Sequence, residues 1–382
     1  MPPTSDATIS EHLRAAERAL AGSGVVLTTS GSTGQPKSVV LSADALRASA
    51  AATAERIGGP GQWLLTLPTD HVAGWQVVVR SALAGTVPAR LDGSFTVAAF
   101  TAAAATLTGR RRYVSLVPTQ VVRLAEDLAG LATLATFDAV LVGGAALPTS
   151  VRERTEAAGI RVHRTYGMTE TSGGCVYDGT PLPGVGIRLD EGRVRLSGSV
   201  LATEYAGDPH LTAERFVTDD DGRRWFVTDD VGELDVQGRL HLLGRMDDLI
   251  NTGGFKVAPR PVEDALLGLP QIRDALVLGV PDAEWGERVA AVLVAQTPHA
   301  HTPHAQHPHT LGGDAEARGA RPGVSDIRDL VRDVLPAHAL PRQVLWVEEL
   351  PLLRSGKPDR AALRAMCAGE SGTMDPYRGS AD

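Results

Sequence analysis

From Ser42 to Arg164 short apolar runs alternate with amphipathic or alanine-rich stretches, and this alternation limits the possible folds more than any other feature of the chain. The patterns predict strands at Trp63–Leu67, Tyr113–Val117, Phe137–Val142 and Arg161–Arg164. Between them they predict helices capped by Ser42 and running to Arg56, then at Gly74–Leu83, Ala98–Thr106, Thr119–Leu128 and Thr149–Ala158. Strands separated by helices form a largely parallel sheet covered on both faces. Ligands of such sheets sit beyond the carboxyl ends of the strands. There the sequence places Pro68, Thr69, Asp70 and His71; then Gly143, Gly144 and Ala145; then Thr165, Tyr166, Gly167, Met168, Thr169 and Glu170. A glycine pair after a strand suits a flat ring lying on bare backbone, and equally a plain turn.

Ahead of the alternation, Asp6–Ala21 reads as an amphipathic helix ended by Gly22 and Gly24. Leu27–Ser42 follows, an apolar strand that enters a loop of glycines and hydroxyls and leaves as a second apolar strand. Gly31 and Gly34 let the backbone approach an anion, Thr29, Ser30, Ser32 and Thr33 offer hydroxyl donors, and Lys37 adds a compact positive charge. The inventory suits a nucleoside triphosphate. The spacing from Gly31 comes close to a Walker loop, but Pro36 stands where its second glycine belongs, and Val39, Val40 and Leu41 favour a strand where a Walker loop opens a helix. The loop is therefore expected as a hairpin connection. A triphosphate brings Mg²⁺, which takes hard oxygen ligands and keeps most of its waters, so a single carboxylate suffices. Glu170 is the candidate, although an acid of this kind read alone is a solvated surface group.

With 382 residues the chain can bury more than one core, and 43% apolar with 21% charged residues is ordinary for a globular protein. A net charge of -8 gives no reason to expect nucleic acid or an anionic membrane as partner. No apolar stretch is long enough to span a bilayer and no secretory signal is present, so a cytoplasmic location is expected. Cys175 and Cys367 are too few for a disulfide framework, and neither has metal-ligand spacing around it. Nothing sets the oligomeric state; a homodimer is one open option.

After Glu170 the composition shifts to short strands and turns at Gly184–Leu189, Arg193–Ser197, Arg224–Thr228, Val231–Leu234 and Arg239–Leu242. Further on come a helix at Pro261–Leu267, strands at Ala275–Val280 and Val289–Ala295, a helix at Asp326–Leu335 and a strand at Gln343–Val347. Between them, 296–323 is rich in His, Pro, Ala and Gly, including His299, His301, His304, His307 and His309, and reads as a surface insertion rather than a loose metal-binding tract.

The stretches TSGSTGQPK, YGMTET, FVTDD, GRMDDLINTGGFKV and RSGKPDRAAL, in that order, resemble the motifs of adenylate-forming acyl-CoA synthetases and ligases. The resemblance covers most of the chain. It implies an α/β fold: a large N-terminal domain of mixed and parallel sheets flanked by helices, with a β-rich subdomain, over 1–244, and a small mobile α+β C-terminal domain over 245–382. It further implies an acid–thiol ligase that uses ATP, Mg²⁺ and coenzyme A and passes through an acyl-adenylate. Position by position, it implies that Asp230 holds the ribose, although Asp229 stands where the motif has glycine and leaves a choice between the two acids. Arg245 contacts ribose and phosphate, and Asp247 is the hinge. Gly253 and Gly254, before Phe255, line the pantetheine channel. Gly143, Gly144, Ala145, Tyr166, Gly167 and Thr169 border the adenine and acyl pocket, and Lys357 reaches in during adenylation.

The stretch DHVAGWQVVVR resembles the o-succinylbenzoate branch of this family, which acts in menaquinone biosynthesis. There an arginine at the matching distance after the motif histidine, here His71 and Arg80, helps bind a second carboxylate, so the expected partner is a small aromatic dicarboxylic acid. A buried arginine among Val77, Val78, Val79 and Leu83 needs an anion, whether from a substrate or from a structural acid. Nine residues of helix would put His71 and Arg80 on opposite sides, so His71 is expected in the preceding loop. The phosphate loop stands close to the N-terminus, which suggests a compact member with little protein for a long acyl tunnel. The alternatives are another aryl- or short acyl-CoA synthetase, and a non-catalytic nucleotide-binding member of the fold.

Overall fold

The computed structural model describes residues 7–29, 36–145, 147–296, 321–352 and 358–369. The expectations for Ser30, Gly31, Ser32, Thr33, Gly34, Lys357 and most of 296–323 lie outside these residues. The chain divides into two compact units, one through Leu242 and one from Leu243.

The first unit opens with α1 (Ile9–Arg18), whose Thr8 cap and Glu11 carboxylate satisfy each other's backbone N–H groups in a capping box. Then come β1 (Val25–Thr29), β2 (Lys37–Leu41), α2 (Ala43–Ile57, capped by Ser42), β3 (Gln62–Leu65), α3 (Val72–Ala84) and β4 (Ala89–Arg90). They continue as α4 (Val97–Ala105), β5 (Arg112–Leu116), α5 (Pro118–Ala125), α6 (Leu128–Leu134), β6 (Ala139–Val142), α7 (Thr149–Ala157) and β7 (Val162–Met168). The remainder is β8 (Gly173–Tyr177), β9 (Thr180–Pro181), β10 (Gly186–Asp190), β11 (Arg193–Ser197), β12 (Glu204–Tyr205), α8 (Pro209–Arg215), β13 (Phe216–Thr218), β14 (Arg224–Leu234) and β15 (Leu240–Arg245), whose last three residues already belong to the second unit.

The main sheet has the order β4-β3-β5-β6-β7-β8-β9 and is parallel from β4 to β7. Alternate residues of its strands point to opposite faces, and both faces are buried. Trp63, Leu65, Tyr113 and Leu141 pack with α1, α2 and α3, whereas Leu64, Val114, Leu116, Val140 and Val142 pack with Phe100, Leu124 and Val151 from the other helices. This is the doubly covered sheet that the alternation predicts. β1 and β2 form the expected hairpin, paired from Val25↔Leu41 to Thr29↔Lys37, and β12 adds to its free edge.

β7 and β14 differ from the sequence reading, for the same reason. β7 does not stop at Arg164 but runs to Met168, because its second half pairs antiparallel with β8. The strands expected at Arg224–Thr228 and Val231–Leu234 are one strand, β14, whose register against β11 shifts between Arg193 and Arg195. The TDD triplet is therefore a bulge inside a strand, a device that re-aims side chains. Both times a partner strand supplies hydrogen bonds that the local sequence does not encode. Helix α8 was also missed, since it buries no residue and so shows no apolar stripe.

The second unit holds β16 (Ile250–Thr252), β17 (Phe255–Val257), α9 (Pro259–Leu267), β18 (Ile272–Asp282), β19 (Gly286–Ala295), α10 (Val324–Val331), β20 (Gln343–Val347) and α11 (Arg360–Gly369). Its sheet runs β17-β16-β19-β18, with β20 parallel to β19. Val262, Leu266, Ile327 and Val331 cover one face, and Leu363 and Cys367 of α11 cover the other.

Candidate active site

Of the residues singled out by sequence, the end of β7 carries Tyr166 and Gly167, and the short turn after it, Thr169–Thr171, carries Thr169 and Glu170. Gly167 has φ +155° and a Cβ there would lie 2.2 Å from the Gly173 carbonyl, so only glycine lets β7 and β8 stay paired at this point. The turn is held from below. Ser172 sits at φ +53°, its carbonyl accepts from Ser49 Oγ (2.9 Å) and Gln76 Nε2 (2.7 Å), and its hydroxyl donates to Val200 O (2.8 Å). Three elements thus converge on the residue that closes the turn carrying Glu170.

Glu170 is 9% exposed. Its Oε1 accepts from the Tyr205 hydroxyl at 2.8 Å, and its backbone carbonyl accepts from Ala202 N at 2.8 Å. Oε2 makes no hydrogen bond to a described residue, which leaves one oxygen of an otherwise fixed carboxylate for a hard cation. Among the described residues no three His, Cys, Asp or Glu side chains gather as a metal cage. The donor set fits a magnesium ion that takes its other ligands from phosphate oxygens and water, and Glu170 is the residue that would hold it.

Lys37 opens β2, and its Nζ lies 5.9 Å from the Tyr205 ring centroid. Thr29 stands opposite Lys37 across the hairpin, its hydroxyl donating to the Lys37 carbonyl at 3.5 Å. Lys37 and Glu170, which are far apart in sequence, meet through Tyr205.

The bulge in β14 separates the two neighbouring acids. Asp229 faces Arg215 (2.5 Å) and Arg193 (2.8 Å), while Asp230 accepts from the Tyr166 hydroxyl at 2.7 Å. Burial, and then the charge of Asp230 and the hydrogen bond to it, hold the Tyr166 phenol well above its ordinary range. Arg215 is raised: burial alone would lower it, but the hydrogen bond and charge of Asp229 outweigh that. Asp229 is thus tied into an arginine cluster, and Asp230 belongs with Tyr166 at the end of β7. Gly143, Gly144 and Ala145 follow β6, with Gly144 and Ala145 exposed; Gly143 donates its N–H to Leu116 O, and a Cβ on it would lie 2.6 Å from Thr165 Oγ1.

Helix α3 carries His71 and Arg80 but does not bring them together. His71 is the exposed N-cap of the helix, in line with its expected place before it. Arg80 lies nine residues on, about 13 Å along the axis at 1.5 Å per residue, and is 8% exposed. Its Nη2 donates to Thr53 Oγ1 at 3.1 Å, its guanidinium lies 5.1 Å from the Trp63 ring, and the Tyr177 hydroxyl is its other polar neighbour. Nε has no hydrogen-bond partner, and no carboxylate among the described residues pairs with the group. Burial pulls its pKa below the ordinary arginine value, a pull that Tyr177 only partly opposes.

The sequence reading missed Tyr205, the Ser49 and Gln76 clamp, and His12, whose Nδ1 contacts Thr8 O (3.0 Å) and whose Nε2 contacts Thr69 Oγ1 (2.7 Å), tying α1 to the loop before His71. His12 and Gln76, buried polar residues on helices, carry a weak signal. Tyr205, in TEYAGD, carries none.

In the second unit Arg245 donates to Asp247 at 3.4 Å. Gly253 and Gly254 form the two-residue turn between β16 and β17, with Thr252 paired to Phe255 and φ of +57° and +82°, the mirror-image turn that fits the twist of a hairpin. A Cβ on Gly253 would lie 2.5 Å from the Trp285 ring.

Set against known proteins, residues 16–244 match the family described as AMP-binding enzyme, and residues 261–357 match the AMP-binding enzyme C-terminal domain. A probable 2-succinylbenzoate–CoA ligase of Mycobacterium tuberculosis is 43% identical over 97% of this chain and 91% of its own length. The structure of o-succinylbenzoate CoA synthetase (MenE) from Bacillus subtilis in complex with the acyl-adenylate OSB-AMP superposes with a TM-score of 0.70 at 25% identity, covering 89% of this chain and 69% of that one. ATP-bound MatB from Rhodopseudomonas palustris gives a TM-score of 0.73 at 26% identity, over 90% and 68%.

Proposed function

We propose, because the chain belongs to the AMP-binding enzyme family, that it ligates o-succinylbenzoate to coenzyme A through an acyl-adenylate, consuming ATP, in the cytoplasm and as a step of menaquinone biosynthesis. The similarity to the Mycobacterium tuberculosis and Bacillus subtilis proteins supports the reaction. The observation that carries the substrate class is Arg80, a buried guanidinium with no carboxylate partner among the described residues. A buried cation left unpaired costs several kcal/mol, and a second carboxylate on the substrate offsets that cost.

In the first step a carboxylate oxygen of the acid attacks the α-phosphorus of ATP, and the bond to pyrophosphate breaks. Lys37 with Thr29, Ser30, Gly31, Ser32, Thr33 and Gly34 orients the β- and γ-phosphates, and Lys357 bridges the carboxylate and phosphate oxygens as negative charge concentrates there. Glu170 would hold Mg²⁺, which would supply positive charge against the phosphate oxygens. Asp230 accepts from the ribose hydroxyls, Arg245 contacts ribose and phosphate, Gly143, Gly144, Ala145, Tyr166, Gly167 and Thr169 border the adenine and the acyl group, and His71 acts on the acid substrate. In the second step, after a turn about Asp247 that presents Gly253 and Gly254 to the pantetheine arm, the coenzyme A sulfur attacks the acyl carbonyl. The thioester forms, AMP leaves, and the thiol proton passes to water.

The test is AMP formation from ATP and coenzyme A with a panel of acids. o-Succinylbenzoate is expected to exceed benzoate, other aryl and short acyl acids, and fatty acids in kcat/KM. Equal rates with benzoate would point to a general aryl-CoA synthetase, and no AMP with any acid to a nucleotide-binding member that ligates nothing.

A further inference from the structure

Tyr205 touches both charged groups of the phosphate end of the site and has no role in the reaction as described above. It stands on β12, whose backbone is paired to β2, Tyr205 opposite Val39 and Glu204 opposite Val40, with Ala206 N donating to Ser38 O at 2.7 Å. Its ring lies under the Lys37 ammonium at 5.9 Å and packs on Phe216 at 5.7 Å, and its hydroxyl donates to Glu170 Oε1 at 2.8 Å. One side chain therefore links the strand that leaves the phosphate loop to the carboxylate that would hold the metal. We infer that Tyr205 is a positioning residue: by occupying Oε1 it turns Oε2 of Glu170 toward the nucleotide's metal, and its ring keeps Lys37 in register with that oxygen.

The inference rests on Glu170 being the metal-holding carboxylate. Geometry gives the reason for a tyrosine. A carboxylate can chelate a cation through both oxygens or bind it through one, and a fixed donor on one oxygen selects the second mode, which suits the octahedral, water-rich shell of Mg²⁺.

Tyr205→Phe keeps the ring for Lys37 and Phe216 and removes only the hydroxyl. In the full chain, ATP binding measured calorimetrically in EDTA is expected to stay within about twofold of the parent, while the affinity gained on adding Mg²⁺ falls by about tenfold or more, the scale of one hydrogen bond to a charged group. The Mg²⁺ concentration for half-maximal adenylation rises in parallel, at a temperature where parent and variant are both folded. A Mg²⁺ gain that survives in Tyr205→Phe but is lost in Glu170→Gln overturns the positioning role alone. A gain that survives in both overturns the reading of Glu170 and this inference with it. Should Tyr205→Phe not fold, Tyr205→Met, which loses the ring as well as the hydroxyl, is read by its Mg²⁺ gain alone, on the same two outcomes.

Discussion

Arg80 and Asp229 are both charged groups drawn into the first unit, and their surroundings are opposite. Asp229 lies between two guanidiniums, Arg215 at 2.5 Å and Arg193 at 2.8 Å, so its charge is answered within the protein. Arg80 has a hydroxyl, an aromatic ring and a phenol around it, and among the described residues no acid. A charge closed by its neighbours holds architecture in place, here the bulge that aims Asp230 at Tyr166. A buried charge left open stores desolvation cost that a ligand of opposite sign can relieve. The contrast separates charges whose partners belong to the fold from a buried guanidinium whose charge an anionic ligand would answer.

Replacing Arg80 should produce the largest effect. Arg80→Ala is expected to lower kcat/KM for o-succinylbenzoate by roughly 30- to 1000-fold, about 2–4 kcal/mol for the loss of one partner of a buried charge pair. KM for ATP should hold within about twofold, and the melting temperature should not fall, because an uncompensated buried cation is removed. Steady-state kinetics with varied acid and with varied ATP check this, and an equal loss for both substrates would break the contrast.

Arg215→Ala should behave in the opposite way. Asp229 then keeps only part of its compensation, and a loss of about 1–3 kcal/mol in unfolding free energy is expected for a partly buried pair. Urea denaturation reads the loss, while KM for the acid stays within about twofold.

A second closed charge sharpens the comparison at small scale. Asp178 accepts from His163 Nδ1 and from Arg164 N, both at 2.9 Å, and although burial alone would raise its carboxyl, these hydrogen bonds and the neighbouring charges hold it below the usual carboxylate value. A depressed native pKa contributes stability that is present above the unfolded value near 4 and is lost as pH falls through the lower native value. Asp178→Asn should therefore melt slightly below the parent at pH 7, by less than about 1 kcal/mol. The gap should close as pH is lowered below about 4, which parallel melting curves would show. A gap that widens in acid would contradict the assignment.

Much of the first unit was legible because its signals are local. The period of apolar residues in Trp63–Leu67 or Phe137–Val142 reports a strand buried on both faces, and the Ser42 cap and the glycines after the first helix mark boundaries through backbone geometry alone. The hairpin at Leu27–Ser42 was legible for the same reason: Pro36 and the β-branched run after Lys37 exclude a helix. The second half of β7 and the joined strand β14 were not, since each owes its hydrogen bonds to a strand distant in sequence. The choice between Asp229 and Asp230 was open in the sequence for a related reason. Two adjacent carboxylates are chemically equivalent until a bulge turns one to arginines and the other to a phenol.

The sequence by itself determined the residue types that any chemistry must use: a run of glycines and hydroxyls before Lys37, a lone carboxylate at Glu170, an arginine among apolar residues at Arg80 and a doubly covered parallel sheet to carry them. These follow from residue type, spacing and period, which act over a few residues. Only the tertiary structure decided which charges are answered and by whom. It set Tyr205 between Lys37 and Glu170, gave Asp229 to Arg193 and Arg215 and Asp230 to Tyr166, and left Arg80 buried beside Thr53, Trp63 and Tyr177. Such pairings depend on strand order and register, which bring together residues with no signal of one another along the chain, and on desolvation, which gives a charge its cost only once the fold has closed around it.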